Sequence, residues 1–236
     1  VTSIPADTCL DQPARHTTTA RLPAVGTALV AASLPLIGLL HVLPPSDRID
    51  PMTRTISEYA LGSNGWLFDV AVLALAIGST AVTVALVRAR VLAATAPATW
   101  LLGLWSAGLT TVVIFEKHNW AVGPSSGGQI HRMASLVAFL ALPVGALLAS
   151  RSGRLSPAWE RQAAWTRWSA LGAVAALLPL FYAVAVNMLT GRAWWRVFPL
   201  GAVERLLGLS EVLVVLVLGV WAVRARAADP DAPSVS

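Results

Sequence analysis

The stretch PPSDRIDPMTRTISEYALGSNGW, residues 44–66, decides the fold. It is the longest polar interruption between apolar blocks, and it carries Asp47, Arg48, Asp50, Arg54, Ser57, Glu58 and Tyr59. On either side the chain turns to hydrocarbon, over residues 24–42 before it and 66–87 after it. Each block is about 20 residues long, and an α-helix rising about 1.5 Å per residue then crosses a hydrocarbon layer of about 30 Å. A loop with this many ionisable groups is excluded from such a layer, where a single charge costs a few kcal/mol or more. Residues 44–66 therefore join two membrane spans at one face.

Four more blocks of similar length follow, at 99–115, 130–150, 168–189 and 200–223. The 236 residues are 56% hydrophobic and 12% charged, about half the charged fraction of an ordinary soluble domain. The expectation is an all-α polytopic membrane protein, six transmembrane helices in one bundle over residues 23–226. Disordered cytoplasmic segments are expected at 1–22, which is too polar to fold alone, and at 227–236. The N-terminal segment does not read as a signal peptide, because no small-residue cleavage site separates it from the first span. Pro35, Pro143 and Pro179 lie inside expected helices and should bend them. Ala141, Gly145 and Ala149 form a small-residue stripe suited to close helix packing.

Charge excludes other classes. A net charge of +5 invites a nucleic-acid reading, but the arginines flank apolar blocks, where they set topology, and no aromatic–basic interleaving accompanies them. No nucleic-acid partner is expected; the expected partners are membrane lipids and an amphiphilic small molecule. The single Cys9 allows neither an internal disulfide nor a cysteine metal cluster. No internal repeat supports an inverted-repeat transporter. With six spans, ten of the 17 cationic side chains fall on the side of the termini, against seven opposite, and the positive-inside rule puts both termini in the cytoplasm.

That orientation gathers the unusual polar residues near the other face. His41 closes span one and Asp69 opens span two. Glu116 and His118 close span three, His131 and Arg132 open span four, and Asn187 closes span five. Glu204, Arg205 and Glu211 lie in the first half of span six. Glu204 and Glu211 are seven apart, hence on one helix face and about 10 Å apart along the axis; His131 and Ser135 also share a face. Arg205 is the expected partner of one of these acids or of Asp69, most simply as a buried Glu204–Arg205 ion pair.

The loop TISEYALGSNGW at 55–66, HRMAS at 131–135 and ERL at 204–206 together resemble a family of small bacterial membrane proteins called "domain of unknown function 998". The resemblance spans residues 24–223 and implies a six-helix protein of the bacterial cell membrane. It implies no activity. Ser57, Glu58, Gly65, His131 and Glu204-Arg205 match its recurrent pattern.

The residues name no cofactor. A divalent metal would need His41, His118 and His131 with Glu58, Asp69, Glu116 or Glu204 brought together from separate helices, since no local H-x-x-x-H or H-E-x-x-H spacing exists; none is expected. Haem is disfavoured, with no histidine pair mid-membrane on facing helices. Ser57 lacks the G-x-S-x-G context of a nucleophile. The favoured reading is a polar pocket between helices, lidded by loop 44–66 and opening to the outer face. The protein would bind a lipid-like or amphiphilic molecule there, or act as a membrane subunit. Ser57, Tyr59, Arg205, Glu211, His41 and Asn187 are its candidate ligand contacts. The alternative is a membrane-embedded enzyme of cyclase or hydrolase type, with His131, Glu58, Asp69 and Glu204 performing acid/base chemistry on an isoprenoid or lipid.

Overall fold

A computed structural model describes residues 14–119, 121–153, 156–191 and 198–228. Six helices carry the fold: α1 Ala14–Leu40, α2 Gly65–Arg88, α3 Pro97–Ile114, α4 Ser126–Gly153, α5 Glu160–Thr190 and α6 Leu200–Ala227. All six contain a stretch long and apolar enough to cross a membrane, and no strand occurs among the described residues. The protein is all-α, as expected. Local chemistry sets the ends. α1 stops ahead of Pro44-Pro45, Pro97 opens α3 with a backbone angle already helical, and Gly191 closes α5 in the left-handed conformation at φ 68° while its N–H bonds the Asn187 carbonyl.

Four helices run several residues beyond their expected limits, α4 at both ends, spanning Ser126–Gly153 rather than 130–150. α1 begins at Ala14 rather than 24, α5 at Glu160 rather than 168, and α6 continues past Arg224 and Arg226 to Ala227. Hydropathy marks where hydrocarbon ends, whereas a helix continues until its backbone hydrogen bonding is broken; the charged stretches here contain good helix formers. Pro35, Pro143 and Pro179 are each inside a continuous helix. Of the segments expected to be disordered, 1–13 and 229–236 lie outside the described residues, as do Cys9, Trp120, Arg154, Arg192, Trp194, Trp195 and Arg196.

Each helix packs against its neighbours in sequence, and α6 closes the bundle by packing against α1 while also touching α2 and α4. Small residues allow the close approaches. A Cβ on Gly26 of α1 would sit 2.9 Å from the Gly78 carbonyl of α2, and one on Gly108 of α3 would sit 2.9 Å from Ala138 Cβ of α4. The Ala141–Gly145–Ala149 stripe is turned inward, with Gly145 against Leu101 of α3. Hydroxyls inside the spans bond carbonyls four residues back, as at Thr80, Thr83, Thr110 and Thr111; Thr166 of α5 is an exception, its buried Oγ1 having no partner among the described residues. Trp105 reaches across from α3 to donate its indole N–H to Ser79 Oγ of α2 at 3.1 Å. Outward lie large apolar and aromatic side chains, among them Trp66, Trp100 and Trp168. In water this surface would be an aggregation hazard; facing lipid it is the expected exterior, with tryptophans near the helix ends.

Loop 44–66 is strapped to α6. The Ala202 N–H donates to the Met52 carbonyl at 3.1 Å, and Gly201 sits beneath the carbonyls of Pro51 and Arg54 with no room for a Cβ. Gly201→Val is therefore expected to push the loop off α6. Overpacking of this kind costs about 1–3 kcal/mol, and a chain of this size loses roughly 2–4 °C of Tm per kcal/mol. Thermal unfolding in detergent should show a fall of roughly 5–10 °C; an unchanged Tm would mean that the loop does not rest there.

Candidate functional site

The apolar periodicity of five helices has a shared inner face. Leu34 and Ile37 lead to His41 on and just past α1. Phe68, Val72 and Leu75 follow the same three-and-four spacing on α2, Trp105, Leu109 and Val112 on α3, His131, Ser135 and Ala138 on α4, and Glu204, Gly208 and Glu211 on α6. These faces enclose a cavity of about 300 Å³. The short 3-10 turn Ile56–Leu61 lies over it and contributes Ile56 and Ser57 to the lining. Small-molecule sites start at about this size and are mostly apolar with a few placed polar groups, as here.

The polar groups form two layers. In the upper layer Arg205 ties α6 to the loop and to α1. Its Nε donates to His41 Nε2 at 2.9 Å, Nη1 to the carbonyls of Arg54 at 2.8 Å and Gly201 at 3.0 Å, and Nη2 to the Tyr59 hydroxyl at 3.3 Å. Because His41 Nε2 accepts, its Nδ1 carries the proton and donates to the Ile37 carbonyl at 2.9 Å. The buried Tyr59 ring packs 5.3 Å from that of His41, with the Arg205 guanidinium 5.8 Å from its centroid. Glu204 Oε2 accepts the Ile56 N–H at 2.8 Å and so fixes the start of the covering turn. Glu58 pairs with Arg54 at 3.5 Å and Lys117 at 3.3 Å, and Lys117 also donates to Thr55. Further out, the Thr53 hydroxyl and the Met52 N–H bond the Asp50 carboxylate and hold its pKa below the usual range.

This corrects the expected Glu204–Arg205 ion pair. Among the described residues Arg205 bonds no acid; the ion pairs are Arg54–Glu58 and Lys117–Glu58. Successive residues on a helix point about 100° apart, so Glu204 meets the loop backbone while Arg205 swings to His41 and Tyr59.

In the lower layer the His131 ring, 5% exposed, places Nδ1 2.8 Å from the Phe115 carbonyl and 3.1 Å from that of Val112. Carbonyls only accept, so Nδ1 is the protonated nitrogen. Nε2 is left as an acceptor with no partner among the described residues. One helical turn on, Ser135 Oγ donates to the His131 carbonyl. Glu211 is 0% exposed, and neither carboxyl oxygen has a hydrogen-bond partner among the described residues.

Of the residues named from the sequence, His41, Ser57, His131, Glu204, Arg205 and Glu211 line the cavity. Glu58 and Tyr59 stand one layer behind it, holding the loop. Asp69 is only partly buried and is not in the lining, because its neighbour Phe68 takes the inward position and Asp69 is turned about 100° away. Asn187 belongs to α5, none of whose residues is in the lining. His118 is buried beside the start of α4, where its Nδ1 accepts the Ser125 N–H at 2.9 Å. Among the described residues no three His, Cys, Asp or Glu side chains converge as metal ligands would. Sequence reasoning missed Ser33, Phe68, Trp105 and Gly208. Their signal was the three-and-four spacing to inward-facing neighbours, masked because both faces of a membrane helix are apolar.

Six helices apolar enough to cross a membrane, five of them lining an interior cavity, define a polytopic helical membrane protein. The pattern of the family described as protein of unknown function (DUF998) matches residues 18–221, and the chain belongs to that family. The three stretches that carry the resemblance meet at the cavity: 55–66 covers it, and His131 and Glu204-Arg205 line it. No curated protein and no solved structure matches the chain.

Proposed function

We propose that this protein holds a small amphiphilic or lipid-like molecule in the cavity under loop 44–66, on the non-cytoplasmic side of a bacterial cell membrane with both termini cytoplasmic. The observation that carries the reading is the cavity itself: about 300 Å³ of mostly apolar space in which Glu211 and His131 Nε2 keep unspent acceptors. The arginine bias toward the termini supports the orientation. Gly208 gives a direct test, because a Cβ there would meet only Ile56 Cδ1, at 3.9 Å. Gly208→Leu should fill the cavity without moving the backbone, and should gain up to about 1 kcal/mol of helix propensity. Titration of 1-octanol and octylamine into nanodisc-embedded protein is expected to give binding that this substitution removes at unchanged or raised Tm. Binding that survives Gly208→Leu would locate it elsewhere.

A second reading makes the site enzymatic, with His131 Nε2 as a proton acceptor toward a bound isoprenoid or lipid. The observation favouring it is the pinned Nδ1–H, which orients the ring and fixes the basic nitrogen. His131→Ala discriminates the two. For a structural His131 the substitution costs about 1–3 kcal/mol in unmade hydrogen bonds to the end of α3, read as a lower Tm. A catalytic one loses turnover while His131→Asn, which can still donate to a carbonyl, keeps the Tm.

A further inference from the structure

The cavity's polar inventory is lopsided. Glu211 is completely buried and both of its oxygens lack a donor among the described residues. His131 Nε2 is a second acceptor, as derived above. Most donors that line the cavity are already committed; the Ser57 hydroxyl shares a hydrogen bond with that of Thr55, in which either can donate. The N–H groups of Arg205 go to His41, Tyr59 and two backbone carbonyls, and the Ser33 and Ser135 hydroxyls go to carbonyls of their own helices. Two glutamates against one arginine leave the lining a formal charge of −1. An unpaired carboxylate in so apolar a place is costly, so without a cation the carboxyl keeps its proton, and an amine brought beside it would take that proton and become the counter-charge. What completes the site is thus one positive charge that brings hydrogen-bond donors.

A bare metal ion does not fit. It requires several converging oxygen or nitrogen ligands, and no such group of acidic or histidine side chains exists among the described residues. An organic cation fits better. Its hydrocarbon would cover the apolar lining, its nitrogen would donate to Glu211, and Phe68 and Trp105 in the same lining present aromatic surface that favours cations. Deepening the binding reading above, on which it rests, we propose that the ligand is a lipophilic ammonium, whose protonated amine sits against Glu211 with its alkyl body filling the cavity beneath the loop.

The test compares octylamine, protonated at neutral pH, with 1-octanol of the same length, by calorimetric titration of the full chain in nanodiscs, with empty nanodiscs as reference. The wild type is expected to bind octylamine at least about tenfold more tightly than 1-octanol. Glu211→Gln should abolish that preference while leaving 1-octanol affinity within about twofold. Equal affinities in the wild type, or a preference that persists in a folded Glu211→Gln protein, would overturn the ammonium assignment and leave the cavity reading standing. Should Glu211→Gln fail to fold, Glu211→Asp retains the charge one methylene further back and is expected to weaken octylamine alone. Absence of binding by both probes would instead overturn the cavity reading, and the assignment with it.

Discussion

Arg205→Ala is expected to detach loop 44–66 from the bundle and lower the Tm in detergent by roughly 10 °C. The guanidinium is one point where α1, the loop and α6 meet. Its removal leaves His41 Nε2, the Tyr59 hydroxyl and the Arg54 carbonyl without their donor. The part-buried His41 and Tyr59 groups cost about 1–3 kcal/mol each when orphaned, the exposed Arg54 carbonyl can turn to water, and the losses overlap, so a total of about 2–4 kcal/mol is expected. Near 2–4 °C per kcal/mol for a chain of this length, that sets the scale of the shift. Limited proteolysis should cut within 44–66 in the variant and spare the wild type. Arg205→Lys should not restore it: an ammonium is a compact point charge and cannot span three directions as the planar fork does. A Tm within about 2 °C of wild type would show that the loop is held by other contacts.

Glu211→Leu is expected to act in the opposite direction. The carboxyl has no partner among the described residues and lies in an otherwise apolar part of the cavity wall. Leucine has similar volume and no polar atoms. Replacing buried charges by well-packed apolar side chains is neutral to stabilising by about 1–4 kcal/mol, so the ligand-free protein should gain up to roughly 10 °C in Tm. A fall in Tm would mean that Glu211 makes a stabilising interaction in the unliganded bundle. A rise would mark it as a group kept at the expense of stability, the pattern of a site built for an occupant.

The two substitutions concern residues that stand in one short segment and look equivalent in the sequence. Their chemistry separates only in three dimensions. Adjacent opposite charges in the chain point Arg205 to an acid, yet it bonds an imidazole, a phenol and carbonyls. Their end of the bundle alone points Glu58 and Asp69 to the pocket. One braces the loop through Lys117 and the other is turned aside by one residue of helical rotation. Conversely, Trp105 and Gly208 gave no visible signal, since an apolar or small residue inside an apolar block is unremarkable until its direction is known.

The chain alone determined that there are six helices long and apolar enough to cross a membrane, and that a polar loop joins the first two. The reason is the solvent: hydrocarbon requires about 20 apolar residues per crossing and internal pairing of every backbone group, and both demands are written in linear order. Only the tertiary structure decided which ionisable groups share a cavity, which hold its cover, and that Glu211 lacks a partner among the described residues. Those outcomes depend on the rotation of each helix about its axis, and lipid-facing and interior faces here are too alike in hydropathy for the linear order to record it.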